Sequence, residues 1–593
     1  MADLQTSINE LKKHKVELLK LVSQGELPGS AIDGENRDSV AAYERAERGA
    51  QGFTPLVLKP KTAEQVQALI NYAKENGLHF VINAAWTGLV EAGIPKGEIV
   101  LNLADMNRIR SIEIKLNNGE QKTLNLKSTD ADELAKELAA WKESQKIDNK
   151  DIVGVVLDVE AGVSIATANE MLKVLNWEIP IGVGDTRATI CGCIANGAAG
   201  DKLVSAEMNP NSISNDVIET SVGLVTSING VFGNGEIVEG EVPEKEQPSA
   251  KGALRINSGV FKKPTLAYSQ GVLGVITSSK IEGRYLPAPD QNQAMMVSVP
   301  DDETAQYVAQ QVKEKFPGML VKLETISGEM MRLLVDYCGG DDFAGFRQWR
   351  GNMEKAGHNG NDERVIMLQL ATKGDATKFA DEFQAFAVTE LKDRAGNDLS
   401  ERVYYDDAKT ISDIRHDCTG ASNRAIVKLG VSDENDSPKY RWSPDIAVPP
   451  DRMAEFLHET SAAIKAKFSD DVFIPDFGHF ERGGSHYHVI STSKDKPLDK
   501  TELAKIVIEK LRKYGGTISA EHGGGVTKPI IDGLNSLFPT ELSAMAEMVR
   551  NKNPYLVLNP RSFGMDKRIE KPGKKGADID GGANGHKKAA ELS

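Results

Sequence analysis

The sequence predicts an α+β protein of more than one domain, and three observations support this fold class. The chain has 593 residues, which is more than one hydrophobic core usually accommodates. From Thr54 it follows a strand–helix–strand pattern, in which PLVLKP and LHFVIN flank the amphipathic helix TAEQVQALINYAKENG. Over about residues 291–480, strands such as RVIMLQL alternate with helices such as ETAQYVAQQVKEKF.

Changes in composition along the chain predict four segments. Residues 1–50 are interpreted as a charged helical lead-in, 51–290 as a first domain, 291–565 as a second domain that ends in a helical segment, and 566–593 as a tail. A polar insert at about 111–150 interrupts the first domain, and DADELAKELAAWKESQK within it has the i,i+4 charges of a solvated helix. The tail has almost no apolar residues, which is typical of disordered chain.

The composition excludes several classes of protein. A formal net charge of −15 argues against a nucleic-acid binder, which needs a basic surface to replace counterions on phosphate. Four cysteines without a C-x-x-C pair are too few for a disulfide framework and offer no site for an iron–sulfur cluster. No 18 apolar residues run together, so we expect no transmembrane segment. We expect a cytoplasmic protein, with peripheral attachment to the inner membrane face left open.

Three Gly- and Ala-rich loops follow predicted strands of the first domain. They are INAAWTGLVEAGIP (82–95), IGVGDTRATICGCIANGAAG (181–200) and YSQGVLGVITS (268–278). Small residues let backbone N–H groups approach a phosphate or a flat ring closely. For any one loop alone, a tight turn between packed elements is the favoured explanation, whereas the three loops together favour such a ligand. None of them matches the P-loop or the Rossmann fingerprint.

The stretch FGHFERGGSHYHV (477–489) gathers three of the chain's ten histidines. Its flanks have strand composition, so Glu481–Gly484 is predicted to connect a hairpin. In that register His479 faces His486 on one side of the sheet, with Cβ atoms about 5 Å apart. Phe480 then faces Ser485, and His488 pairs with Phe477 on the face of His486.

Two imidazoles at that spacing suit a shared metal ion. The segment GTISAEHGGG (516–525) supplies Glu521, and two imidazoles with one carboxylate leave open coordination positions, as catalytic metal sites do. A hairpin that merely exposes histidines to solvent is the alternative. His488 is a candidate fourth ligand or a supporting residue.

Residues 51–290 resemble the FAD-binding domain of the vanillyl-alcohol-oxidase superfamily, also called the PCMH-type FAD fold. TICGCIANGAAG is similar to its T-I-G-G-x-I-A-x-N-A-G-G motif and SQGVLGVIT to its G-S-E-G-x-L-G-I-I-T, while AAWTGLVEAGIP resembles the respiratory quinone-dependent D-lactate dehydrogenases. The resemblance implies a two-subdomain FAD-binding domain with noncovalent FAD, since Trp86 stands where some members link the flavin through His or Cys. The FAD-binding residues that it implies are Asn83, Ala84, Ala85, Trp86, Thr87, Gly88, Leu89, Thr189, Gly192, Asn196, Gly271, Gly274, Val275, Ile276 and Asn559.

The second domain resembles the D-2-hydroxy acid dehydrogenases that carry an FAD-linked oxidase C-terminal domain. GHFERGGSHYH is similar to their G-H-x-G-D-G-N-x-H-x-N motif and ISAEHGGG to their S-x-E-H-G-x-G. The resemblance implies His479, His486 and Glu521 as ligands of a divalent metal (zinc, manganese or iron) and His522 as the general base. Where the family has Gly-Asp and Asn, this chain has Glu-Arg and His, which leaves the metal's identity and the substrate's orientation open.

Arg415 is the predicted substrate-binding residue. KTISDIRHD resembles the family's W-x-I-R-E segment, which places Arg415 where a guanidinium grips the substrate carboxylate through two parallel hydrogen bonds. Without the family resemblance, Arg415 could equally be an arginine that forms a salt bridge at the protein surface.

These resemblances imply a reaction. We expect oxidation of a D-2-hydroxy acid to the 2-oxo acid, with D-lactate as the favoured substrate. In the expected reaction the metal lowers the hydroxyl pKa, His522 removes the proton, and the C2 hydride passes to flavin N5. A metal-independent flavin oxidase or dehydrogenase of an alcohol or sugar is the alternative, because it shares the first domain without needing the metal ligands. The expected electron acceptor is a quinone or an electron-transfer protein.

Overall fold

The α+β class is confirmed by the computed structural model. It describes residues 14–22, 30–45, 51–89, 91–198, 200–202, 221–242, 265–337, 344–358, 363–431, 439–479, 483–520 and 527–569. No helix within these ranges is long and apolar enough to cross a membrane.

A four-stranded sheet comes first along the chain. Its strands are β1 (Ser30–Asp33), β2 (Leu56–Lys59), β3 (Phe80–Asn83) and β4 (Ile99–Asn102), in the order β1-β2-β4-β3. The last three are parallel, as the predicted strand–helix–strand unit requires, and the helix Ala63–Asn76 connects β2 to β3. Its ends are those predicted: the Thr62 side chain accepts a hydrogen bond from the backbone N–H of Gln65, and Gly77 ends the helix in the left-handed region.

The helical interpretation of residues 1–50 is wrong in part. Residues 14–22 are helical and Arg37–Val40 forms a short helix, but β1 is an edge strand that pairs antiparallel with β2. Residues 1–13, 23–29 and 46–50 lie outside the described ranges.

A six-stranded antiparallel sheet forms the second part of the first domain, in the order β10-β9-β11-β7-β5-β6. The strands here are β5 (Ile109–Leu116), β6 (Gln121–Asn125), β7 (Ile152–Glu160), β8 (Trp177–Glu178), β9 (Val225–Phe232), β10 (Ile237–Glu241), β11 (Gly274–Glu282) and β12 (Arg284–Tyr285), with β8 and β12 paired separately. The helices are Ala131–Ser144, Ile165–Leu172 and Ile190–Asn196.

The predicted polar insert at 111–150 is therefore part of the sheet. β5 pairs with β7 on one side and with β6 on the other. Ile109, Ile112 and Ile114 of β5 are buried while the residues between them are more exposed, which is the alternation of a strand with one face on the core. The predicted helix in this segment forms at Ala131–Ser144, although it buries Leu134 and Leu138 instead of being solvated all round.

A seven-stranded antiparallel sheet organises the second domain, in the order β16-β13-β15-β14-β20-β21-β18, and β17-β22-β19 form a small sheet. The strands are β13 (Asn292–Val299), β14 (Leu320–Ser327), β15 (Arg364–Ala371), β16 (Val403–Tyr405), β17 (Arg441–Trp442), β18 (Asp445–Ala447), β19 (Val472–Phe473), β20 (Asp476–Gly478), β21 (Gly484–Tyr487) and β22 (Val489–Ser491). The helices are Asp302–Lys315, Gly328–Tyr337, Ala344–Lys355, Ala376–Ala385, Ala408–Lys428, Met453–Phe468, Lys500–Tyr514, Lys528–Leu537, Pro539–Lys552 and Met565–Arg568.

The end of the second domain returns to the first. Leu558 bridges Phe80 of β3, and the backbone N–H of Phe80 donates to Val557 O at 2.6 Å. The C-terminal segment thus extends the small parallel sheet. The predicted disordered tail, 566–593, is wrong at its start, because residues 566–568 belong to the helix Met565–Arg568 and Ile569 is buried. Residues 570–593 lie outside the described residues.

Candidate FAD and substrate site

The first Gly- and Ala-rich loop leaves the end of β3 in a fixed turn. Trp86 has φ +64°, its backbone N–H donates to Asn83 Oδ1 at 3.0 Å, and its indole Nε1 donates to Arg45 O at 2.7 Å. Asn102 Nδ2 donates to Ala84 O at 2.9 Å. Among the described residues, none accepts a hydrogen bond from the backbone N–H groups of residues 87–89. These groups are therefore available to an anionic ligand such as a pyrophosphate.

The predicted residues of the second loop hold one another in place. Thr189 begins the helix Ile190–Asn196, and its Oγ1 accepts from the backbone N–H of Gly192 at 3.2 Å. Asn196 Nδ2 donates to Gly192 O at 3.0 Å. A Cβ at Gly192 would lie 2.8 Å from Thr189 Oγ1, so a larger residue would disturb this cap.

The third loop contains three residues with positive φ: Tyr268 (57°), Gln270 (49°) and Gly271 (72°). It ends where Gly274, Val275 and Ile276 begin β11 and pair with Phe232, Val231 and Gly230 of β9. A Cβ at Gly274 would lie 2.6 Å from Val231 O, so this glycine allows the two strands to approach.

Asn559 joins the first and third loops. Its Oδ1 accepts from the backbone N–H of Ile82 at 2.8 Å, and its Nδ2 donates to Gln270 O at 2.6 Å. The third loop also contacts the second, because the backbone N–H of Gln270 donates to Ala195 O at 2.9 Å. The structure therefore brings all three predicted loops together, and contact of their residues with FAD stays a prediction.

The histidine hairpin forms in a register that differs from the predicted one. Phe477 faces His486 and Asp476 faces Tyr487, so the predicted pairs His479–His486 and Phe477–His488 are wrong. The predicted pair Phe480–Ser485 includes a residue outside the described ranges. The predicted connection Glu481–Gly484 is also wrong, since Gly484 belongs to β21 and residues 479–483 connect the strands. Residues 480–482 lie outside the described residues.

Two glycines explain this register. Gly478 ends β20 with φ +128°, and a Cβ there would lie 2.9 Å from His486 Cδ2. Gly483 has φ +77° and passes so close to Val448 O that a Cβ would lie 1.8 Å from it. The turn is thus fixed by contacts with β21 and with the segment after β18, which local turn composition does not indicate.

His479 lies one residue beyond β20, and in this register its ring is still close to that of His486. Their ring centroids lie 5.6 Å apart at an interplanar angle of 67°. Two imidazoles on one tetrahedral metal have centroids about 5 Å apart, because each metal–nitrogen bond is about 2.0–2.1 Å long. The observed separation of the two rings is close to this value. His488 is buried, and its ring lies 5.5 Å from that of Phe477.

The remaining predicted groups of this site fall outside the described residues. These are Glu521, the third predicted metal ligand, and His522, the predicted base. Within the described part of the chain, no group of three or more His, Cys, Asp or Glu side chains could hold a metal ion.

Arg415 is paired with a buried carboxylate that the sequence did not single out. Its Nε donates to Glu324 Oε2, and its Nη2 lies 3.4 Å from Glu324 Oε1. Glu324, which is 2% exposed, also contacts His479 Nδ1 at 2.6 Å. Burial alone would raise the pKa of the Glu324 carboxyl, but Arg415 and His479 hold that pKa well below its usual range. The Arg415 guanidinium further lies 4.9 Å from the Phe477 ring centroid.

A second buried ion pair connects this cluster to the second loop. Lys322 Nζ lies 2.6 Å from Asp201 Oδ2, one residue beyond that loop, and 2.6 Å from Ser412 Oγ on the helix of Arg415. Burial would raise the pKa of the Asp201 carboxyl, but Lys322 lowers it. The end of a predicted FAD loop and the predicted substrate arginine are thus neighbours.

Sequence reasoning missed Lys322 and Glu324, although a signal existed. In LVKLETIS of β14 they are the two charged residues, two positions apart on a strand that is otherwise mostly apolar and buried. Charged residues facing the same side of a central strand need partners, so they indicate either an ion-pair cluster or a site.

Comparison with known proteins agrees with both halves of this architecture. Residues 54–118 match an FAD binding domain, and residues 288–562 match the C-terminal domain of FAD linked oxidases. A solved alkyldihydroxyacetonephosphate synthase aligns over 92% of this chain and 84% of its own with TM-score 0.59 and 12% identity. A solved p-cresol methylhydroxylase aligns over 95% and 98% with TM-score 0.58 and 12% identity. The fold is that of the PCMH-type flavoenzymes.

The curated sequences similar to this chain include two named as dehydrogenases of hydroxy acids. The chain is 23% identical to a putative mitochondrial D-lactate dehydrogenase of Schizosaccharomyces pombe over 84% of its length and 81% of that protein. It is 21% identical to a mitochondrial D-2-hydroxyglutarate dehydrogenase of Arabidopsis thaliana over 86% and 75%. With an FAD binding domain at residues 54–118 and the C-terminal domain of FAD linked oxidases at residues 288–562, the chain is an FAD-dependent oxidoreductase.

Proposed function

We propose that the protein oxidises a D-2-hydroxy acid to the 2-oxo acid with FAD as hydride acceptor. The observation that supports this most is the cluster of Arg415, Glu324, His479 and His486 beside the end of the second loop. A guanidinium recognises a carboxylate, and paired imidazoles suit a divalent cation that binds the adjacent hydroxyl. The names of the similar fission yeast and Arabidopsis proteins, D-lactate and D-2-hydroxyglutarate dehydrogenase, agree with this substrate class.

Each residue has a separate role in this proposal. When bound, FAD would supply the hydride acceptor, and a divalent metal would supply the positive charge that polarises the substrate hydroxyl. Arg415 binds the substrate carboxylate and so fixes which face of C2 is presented. His479, His486 and Glu521 hold the metal, and His522 accepts the hydroxyl proton. The residues of the three loops hold the FAD noncovalently.

D-lactate is the proposed first substrate. Lys322 lies on the same face of β14 as Glu324 and would be a second cation for a dicarboxylate, but Asp201 and Ser412 already bind its Nζ. Its charge is therefore largely neutralised. A monocarboxylate that needs Arg415 alone is better matched to this arrangement.

The test is anaerobic reduction of the flavin in the purified protein. We expect D-lactate to bleach the flavin absorption and L-lactate to leave it unchanged, with D-2-hydroxyglutarate as the comparison dicarboxylate. Reduction by an alcohol or sugar in metal-free protein would support the alternative flavin oxidase or dehydrogenase. The rate at which the reduced flavin is reoxidised would then be compared for a soluble quinone analogue and for an electron-transfer protein. The faster of the two identifies the kind of acceptor.

A further inference from the structure

Glu324 contacts two predicted site residues from different elements at once. Arg415 comes from the helix Ala408–Lys428, and His479 follows β20, whereas Glu324 lies on β14. Its side chain is almost fully buried, so the two contacts compensate the loss of hydration of the carboxylate. A carboxylate in this position fixes both partners relative to one strand.

The contact with His479 determines which ring nitrogen faces a metal. A carboxylate at Nδ1 favours the tautomer that carries its proton there, so a metal at this histidine would bind Nε2. Carboxylates in this position orient the ring and strengthen the ligand, and their loss typically costs about 10- to 100-fold in metal affinity.

The contact with Arg415 determines which edge of the guanidinium faces a substrate. Glu324 binds the edge formed by Nε and Nη2, and the Phe477 ring lies against the guanidinium. The edge that includes Nη1 is the one left for a substrate carboxylate. Without Glu324 the guanidinium could rotate and present either edge.

We propose that Glu324 is a positioning residue that orients Arg415 for the substrate carboxylate and His479 for the metal. The proposal rests on the proposed function, because it assigns Glu324 a role at that same site. Glu324 does not itself touch the substrate in this proposal, and its effect passes through its two partners.

The chain provides a matched control in the same domain. Glu363 is a mostly buried carboxylate that also pairs with one arginine and one histidine, Arg350 Nη1 at 3.2 Å and His358 Nδ1 at 3.7 Å. Neither partner belongs to the predicted site. Glu363→Gln therefore measures what the loss of a buried Glu–Arg–His cluster does to stability alone.

The experiment compares Glu324→Gln, Glu324→Asp and Glu363→Gln in the full-length, FAD-loaded protein. Zinc affinity is measured by competition with a fluorescent chelator, and flavin reduction by stopped flow at saturating zinc and D-lactate. For Glu324→Gln we expect zinc affinity to fall about 10- to 100-fold. We expect the reduction rate to fall about 10- to 100-fold with KM nearly unchanged, because substrate still binds but is misoriented. Glu324→Asp keeps the charge and should recover part of both losses, while Glu363→Gln should change neither.

Each outcome decides between the alternatives. Unmodified protein that no D-2-hydroxy acid reduces would overturn the proposed function and the positioning role with it. Normal reduction of the unmodified protein, with either zinc affinity or reduction rate unchanged in Glu324→Gln, would overturn the positioning role alone. The same losses in Glu363→Gln would also overturn it, since they would reflect general destabilisation. If Glu324→Gln does not fold, Glu324→Asp decides, because its shorter side chain cannot reach both partners and must show a partial loss of both quantities.

Discussion

Replacement of Gly271 tests whether the third loop depends on its contact with Asn559. Gly271 has φ +72°, which costs a residue with a side chain about 1–2 kcal/mol. A Cβ there would lie 2.6 Å from Asn559 Nδ2 and 2.9 Å from Ile82 Cδ1. Asn559 cannot move away freely, because its side chain is hydrogen-bonded to Ile82 and Gln270. Overpacking of this kind costs about 1–3 kcal/mol, so Gly271→Ala should lower the unfolding free energy by about 2–5 kcal/mol.

The same change should lower FAD content, since the third loop must separate from the first to admit the methyl group. Gly271→Val, with a β-branched side chain, should abolish FAD binding. The assays are urea unfolding followed by tryptophan fluorescence and the flavin-to-protein absorbance ratio of the purified variants.

Gly77→Ala is the control, because Gly77 has φ +66° and no atom of the described residues lies within 4 Å of the position that a Cβ would occupy there. This variant should lower the unfolding free energy by only about 1–2 kcal/mol, the cost of a positive φ, and should leave the FAD content unchanged. Equal losses of stability in the two alanine variants, with full FAD in both, would show that the contact with Asn559 does not support the third loop.

Three further predictions concern the proposed function. FAD should appear in the supernatant after acid precipitation, because Trp86 cannot form a covalent flavin link; flavin that stays in the washed pellet would contradict this. A strong chelator should abolish flavin reduction while the flavin absorption is retained, and full activity in protein shown by elemental analysis to lack metal would exclude the metal. His522→Asn should keep FAD and metal but slow flavin reduction by D-lactate about 10²- to 10⁴-fold in stopped flow, whereas Glu521→Gln should also lose metal; an unchanged rate in His522→Asn would move the search for the base to His488.

Local sequence signals predicted the ends of the helix Ala63–Asn76 better than they predicted the strands β1 and β5. The ends of Ala63–Asn76 were predictable because Thr62 and Gly77 act within one turn of the helix. β1 was not, because SAID has no strand composition and its extended state depends on pairing with β2. β5 carried a usable alternation in IRSIEIKL, but the charged residues on its exposed face led to the interpretation as an insert.

The site shows the same division between local and distant information. The two rings of His479 and His486 lie close together, 5.6 Å between centroids, although the predicted pairing is wrong because His486 faces Phe477. The register itself depended on the contact of Gly483 with Val448, which is distant in sequence. The pairing of Arg415 with Glu324 joins residues 91 positions apart, so the arginine's motif alone could not reveal that its guanidinium already has a carboxylate partner.

β14 connects the parts of the site that hydride transfer would require to be in register. Lys322 and Glu324 point to the same side of this strand, and the first reaches Asp201 after the second loop while the second reaches His479. Both also contact the helix Ala408–Lys428, at Ser412 and at Arg415, which lie about one turn apart and so share a face. β14 is an interior strand of the sheet, hydrogen-bonded to β15 on one side and to β20 on the other. One strand therefore contacts the end of a predicted FAD loop, the predicted substrate arginine and a predicted metal-binding histidine, and so sets their relative positions as the proposed reaction would need.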